Sequence, residues 1–399
     1  MRCCARTGRR MSQGSRRSAL VVLAVSVGLV SGFAVAIAPL AIALPVWSVV
    51  PSPNPVGAHS VALSAVSCSN TNSCFAVGEY AVSSSATRAL VESWDGIRWS
   101  MMAIPDPAGS TATVLSGVSC SYTTSCFAVG YSSSGSHHQT LVARWDGSAW
   151  SILPSPNPTG ARSAVLRGVS CSNTISCYAV GDYTLTSPAT KPLVESWDGT
   201  SWSIVASPNP PGARSTVLSA VSCSDTTSCF AVGYYSSGSH HKALVERWNG
   251  ADWSIMASPN PTGSTGTVLS GVSCSNTFSC AAVGDYALTS PVTKPLVERW
   301  NGGDWSIVAS PNPTGSTGTV LSGVSCSTTI NCFAVGYYSS GSHHQTLVES
   351  WGSSGWSIMA TPSHTGAHSS ALSAVSYPAP TNGYAVGTAS NTLVEQYAQ

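Results

Sequence analysis

Apolar and polar positions alternate along residues 46–399 in short runs broken by Gly, Pro, Asn and Ser, and the same set of runs keeps returning. In residues 111–156, "TATVLSGVSC", "CFAVGY", "LVARW" and "WSILPSP" read as four consecutive strands. A period of two with enrichment in Val, Leu and aromatics marks half-buried strands. "WDGIRW" at 94–99 supplies the turn between third and fourth strands, with Asp-Gly opening a four-residue connection. Its two tryptophans become cross-strand neighbours. The longer connections are Pro-rich ("PSPNPTGA") or Ser-rich ("YSSSGSHHQ").

Trp-Ser pairs begin at Trp47, Trp99, Trp150, Trp202, Trp253, Trp305 and Trp356, so the spacing alternates between 52 and 51 residues. A repeat of that length is a whole supersecondary unit, and four strands per unit fit a propeller blade better than a β-helix coil. The chain starts with a lone fourth-type strand at Trp47 and ends with a third-type strand, "LVEQY", at 393–397. The expected fold is therefore all-β: a seven-bladed β-propeller of four-stranded blades, closed by the N-terminal strand completing the last blade. Such an overlap removes exposed sheet edges. A linear array would need atypical capping units instead. Repeats are numbered here by their first strands, from repeat one with Cys68 to repeat seven with Tyr377.

"AVGYYSSGSHHKALVERWNGADWSIMASPNP" at 231–261 resembles the kelch repeat of the galactose-oxidase-like propellers. Gly233, Glu246, Trp248 and Trp253 fall in order on that pattern's glycine, acidic, aromatic and tryptophan positions. Tyr234 stands where the pattern has a second glycine, and Trp248 where it has tyrosine. "SWDGIRW" also approaches the Asp-box turn of sialidase propellers, one residue short. The resemblance implies a propeller over 46–397. The copper-binding Tyr and His set of galactose oxidase and the arginine cluster of sialidases have no counterparts here.

Cysteines pair six residues apart in six repeats: Cys68 with Cys74, Cys120 with Cys126, Cys171 with Cys177, Cys223 with Cys229, Cys274 with Cys280, and Cys326 with Cys332. Each pair brackets the turn between the first two strands, where facing residues can meet disulfide geometry. A zinc site is the weaker reading, because a hairpin offers two thiols and a closed site needs four ligands. The seventh copy has Tyr377 and Gly383 instead. Loss of both partners together is what a bonded pair predicts, and it leaves one blade unstapled.

Only 8% of residues are charged, and Arg2, Arg6, Arg9, Arg10, Arg16 and Arg17 crowd the N-terminus. Without them 11 basic residues face 16 acidic ones, a net charge of −5. Nucleic acid is not an expected partner, since it requires a clustered basic face. Residues 19–46, "ALVVLAVSVGLVSGFAVAIAPLAIALPV", follow the basic start and end in small residues at Ala41 and Ala43. Residues 1–43 are expected to be a signal peptide or an N-terminal membrane anchor, and 44–399 the propeller with no second domain. The membrane enters only through residues 19–46, if the signal is uncleaved. A secreted or extracytoplasmic location agrees with the paired cysteines.

Repeated tryptophans most simply fill the space between blades. The glutamates of "LVE" (Glu92, Glu195, Glu246, Glu298, Glu349, Glu395) recur in six repeats, with Ala143 in the other, and read as blade-to-blade hydrogen bonders. His137 and His138, His240 and His241, and His343 and His344 occur in repeats two, four and six only. The His loops and the "PNPTG" loops share one face of the ring. These six histidines and Asn157, Asn209, Asn260 and Asn312 of the Pro-rich loops are the candidate binding residues. No catalytic residue, metal site or cofactor is assigned, because a catalyst needs different groups converging at one point and this chain presents the same groups over and over. The positions that break the repeat (His59, Asp106, Arg167, His364, His368) suggest no triad. The leading expectation is a non-enzymatic, multivalent binding module for a surface glycan. A protein-interaction scaffold and a carbohydrate-active enzyme with an unrecognised site stay open.

Overall fold

The computed structural model describes residues 46–399 except 187, 290, 291, 363, 365, 366 and 368. The signal or anchor expected at 1–43, the apolar run before Val46, and His368 lie outside the described residues. Those described form strands and connections without a helix. In repeat three, Ser163–Asn173, Ser176–Thr186, Ala189–Trp197 and Trp202–Val205 pair consecutively and antiparallel. The same meander recurs through the chain. Neighbouring repeats also touch along strand edges: single parallel bridges, Thr87 with Ala112 and His241 with Gly266, join two pairs of meanders into eight-stranded sheets. Sequence alternation did not predict these bridges.

Two local rules fix the meander. Asp95 Oδ1 accepts the amides of Ile97 and Arg98 at 2.8 Å each, and Gly96 takes φ +93°, which the turn between third and fourth strands requires. In the second strand, a Cβ on Gly130 would sit 1.9 Å from the Val114 carbonyl oxygen. Only glycine fits there, beside a bulge where the first strand gains one residue.

The core lies between consecutive repeats. Phe75, Val77 and Val91 of repeat one bury against Leu115, Ala128, Leu141 and Trp145 of repeat two, and the same pattern continues around the chain. At all but one of these interfaces one aromatic of the second strand wedges between two rings of the next repeat. Phe127 stands 5.2 Å from Trp197 and 5.3 Å from Trp202, and Phe230 stands 5.1 Å from Trp300 and 5.3 Å from Trp305. Tyr384 of repeat seven meets Trp94 and Trp99 of repeat one in the same way. Repeat five departs, with Ala281 in the wedge position. There the Arg299 guanidinium lies 4.7 Å over Trp351, a tryptophan less buried than its equivalents.

The two ends of the described chain share a sheet. Val46–Val49 pairs antiparallel with Thr392–Ala398, and Trp47 packs on Tyr397 and on Phe333 of repeat six. A serine hydroxyl of each preceding repeat accepts the amide at each first-cysteine position. Ser67 receives Cys120, Ser325 receives Tyr377, and Ser376 receives Cys68, all at 3.0 Å. All six expected disulfides are present.

Removing a wedge leaves a cavity between two repeats. Phe127→Ala is expected to cost about 3–5 kcal/mol, the usual penalty for truncating a buried phenylalanine. Chemical unfolding measures it, and a loss below about 1 kcal/mol would show that the wedge does not hold the interface.

Candidate functional site

The "LVE" glutamates prove to be structural. Glu92, Glu195, Glu246, Glu298 and Glu349 are fully buried, and each accepts hydrogen bonds from a loop serine: Ser52, Ser155, Ser207, Ser258 and Ser310 respectively. The bond therefore ties the incoming Pro-rich loop to the third strand of the repeat it enters. Glu395 is held by His364 Nε2 at 2.9 Å instead. Repeat two lacks the carboxyl, having Ala143, and also lacks the serine. Ile104 occupies that position and packs into the same cluster as Ala143.

The predicted site residues divide by role. Two of the asparagines tie their loops to a third strand: Asn157 Oδ1 accepts the Thr140 amide and Asn260 Oδ1 the Ala243 amide, both at 3.1 Å. Asn209 Oδ1 accepts the Thr216 hydroxyl at 2.7 Å, and Asn312 Nδ2 donates to Ser316 at 2.9 Å. The two histidines of a pair point apart. His137 Nδ1 meets the Arg162 carbonyl at 2.8 Å, whereas His138 Nδ1 meets Ser133 Oγ at 2.5 Å. His240 lies near Ser239 at the exposed loop tip. His241 and His344 repeat the bond of His138, to Ser236 and Ser339.

The second histidines stand edge-on to tyrosines that are not among the expected binding residues. Tyr131 with His138, Tyr234 with His241 and Tyr337 with His344 have ring centroids 4.5, 4.8 and 4.6 Å apart. Each tyrosine follows the "AVG" glycine. At that position repeats one, three and five carry Glu79, Asp182 and Asp285. Tyrosine and carboxylate thus alternate from repeat to repeat on the His-loop face. Burial raises Glu79 above its usual carboxylate range and pushes Asp285 up to about 6. Burial also raises the Tyr131 phenol, with Glu79 adding to the rise and Arg167 opposing it. Burial, followed by His137, lowers His138.

Two cavities open on this face. The larger, about 660 Å³, is lined by His343, His344, Gln345, Thr361, His364 and Tyr338, among others. The second, about 300 Å³, lies where Tyr131 and His138 meet Arg167, Asp182 and Thr184. A third cavity, about 200 Å³, is lined by the first strands of all the repeats, with Ser64, Ser116, Arg167, Ser219, Ser270, Ser322 and Ser373 at their bulges. No group of three or more His, Cys, Asp or Glu among the described residues is placed to hold a metal ion. Aligning the repeats column by column would have exposed the alternating position, whereas Arg167 already stands out in the sequence as a residue that breaks the repeat.

No family model and no curated protein matches the chain. Solved structures do. YCF48 bound to D1 peptide aligns with TM-score 0.52 at 13% identity, over 88% of this chain and 97% of that one. YCF48 from Cyanidioschyzon merolae aligns at 0.53 and 15%, over 88% and 98%. The GH74 xyloglucanase from Xanthomonas campestris aligns at 0.54 and 12%, over 88% of this chain and 53% of its own. The shared fold is the β-propeller, and the repeated meanders of this chain are its blades.

Burial sets a pH dependence. It pushes Glu92, Glu298 and Glu349 up to about 7 and Glu195 and Glu246 up to about 8, with the serine hydroxyls pulling the other way. From their ordinary 4.5 to about 7–8, the unfolded chain has released protons that the folded chain keeps. Stability present in full below pH 4.5 therefore falls as pH rises through that window. Denaturation between pH 5 and 8 should show this decline. Glu246→Gln should remove one proton's share, about 1.4 kcal/mol per pH unit; an unchanged slope would refute the assignment.

Proposed function

We propose that the chain is an exported, seven-bladed propeller whose ring is closed by Val46–Val49, and that it binds carbohydrate without catalysis through the His-loop face. The cycle of serine-to-amide hydrogen bonds, which runs through Ser376 and Cys68 across the chain ends, supports the closure. Export through residues 1–43, cleaved or retained as an anchor, agrees with six disulfides, because such bonds persist in oxidising compartments. A kelch-like descent for the repeat fits the fully buried Glu246 two positions before Trp248, whose ring packs on Trp253.

One observation carries the binding reading. Three half-exposed tyrosines, each backed by a histidine, recur on one face with carboxylates and hydroxyls between them. Aromatic faces suit the apolar face of a sugar ring, while uncharged and acidic acceptors suit its hydroxyls. Repetition supplies several weak sites whose linkage raises avidity. Sealing of the recurring glutamates beneath loop serines removes the obvious carboxylate pair for glycoside hydrolysis. A protein partner is favoured by a different feature: Ile97, Ile175, Phe278 and Ile330 stand 63–85% exposed at turns of the opposite face.

Glycan-array binding tests the proposal. Mature protein should bind neutral glycans, and a triple variant, Tyr131→Asp with Tyr234→Asp and Tyr337→Asp, should lose about tenfold or more of that signal while staying folded. Each change installs a residue that alternate repeats already carry. Failure of the folded protein to bind any glycan would overturn the carbohydrate reading and leave a protein scaffold.

A further inference from the structure

At the bulge of each first strand, repeats one, two, four, five, six and seven place serine, and repeat three places Arg167. This arginine is half-exposed, and its Nε donates to the nearly buried Asp182 at 2.6 Å. No other hydrogen bond of this guanidinium occurs among the described residues. Beside the pair lies the cavity of about 300 Å³, walled by Tyr131 and His138 from repeat two and by Thr184 and Ser163 from repeat three. That volume is at the low end for ligand pockets and suits one or two sugar rings rather than a long chain.

We propose that this pocket is a single, dominant site for a neutral monosaccharide unit, built from repeat three's one departure from the serine pattern. It rests on the carbohydrate reading above and narrows it. A guanidinium beside a carboxylate presents donors and an acceptor side by side, an arrangement that two adjacent ring hydroxyls satisfy together. Tyr131 supplies the apolar wall for the opposite face of the ring. Asp182 balances the charge of Arg167, and Glu79 acts on Tyr131 from the neighbouring repeat. The pocket therefore offers no surplus positive charge, and an acidic sugar should bind less well than a neutral one.

Titration of the mature protein with methyl hexosides and with methyl glucuronide, followed by calorimetry and amide NMR, tests this. The expected result is one equivalent of a neutral hexoside per chain, with shifts at 131–140 and 163–167, and weaker binding of the glucuronide. Arg167→Ser, which restores the residue of the other repeats, should weaken binding about 10- to 100-fold, the range for losing hydrogen bonds to a charged group. Asp182→Asn should weaken it as well. Unchanged affinity in both folded variants, with array binding intact, would overturn this pocket and leave the broader reading standing. Preference for the glucuronide would overturn the neutral class. Absence of binding to every sugar, on the array and in solution, would overturn both.

Discussion

The interface between consecutive blades is the constraint on which the structure depends. Each four-stranded sheet has two apolar faces and cannot bury either alone, so every blade takes its core from its neighbours. The wedge of one aromatic between two rings of the next repeat makes that dependence specific: Phe75 seats against Trp145 and Trp150, and Tyr178 against Trp248 and Trp253. Because Tyr384 meets Trp94 and Trp99, the same rule operates between the last repeat and the first.

Departures from the repeat show that its contacts are pairwise. Where the staple is lost, a Cβ on Gly383 would lie 3.1 Å from the ring of Tyr377, so the small residue there gives that ring its room. Where the buried glutamate becomes Ala143, its serine partner becomes Ile104. Where the wedge becomes Ala281, Arg299 approaches its tryptophan to 4.7 Å, compared with 5.6 and 5.7 Å for Arg247 and Arg144. Arg167 is different, since it replaces a serine, stays half-exposed, and makes its one hydrogen bond among the described residues to Asp182. That contrast is what singles Arg167 out for the proposed site.

The blades, their strands, the cysteine staples and the pairing of the chain ends were legible in the sequence, because strand alternation, turn residues and spacing are local signals repeated many times. The candidate site was less legible. Which histidine of a pair faces inward depends on strand register, and the partners of Asn157 and Glu195 lie 17 and 40 residues away. The Tyr131, Asp182 and Tyr234 column carries no sequence motif of its own, since its meaning arises only when adjacent blades bring those side chains to one face. Pro-rich loops stand out by composition, although their asparagines are engaged by strand amides and by nearby hydroxyls.

Hydrogen exchange on the protein lacking residues 46–50 addresses the central claim, a ring held shut at the seam between its ends, most directly. Loss of that strand removes the Trp47 ring from Tyr397 and from the wedge Phe333. Faster exchange is expected at 392–398, which loses its ladder, and also at 332–340, which belongs to the preceding blade and loses only the wedge contact. Exchange unchanged at both segments would contradict closure through the N-terminal strand.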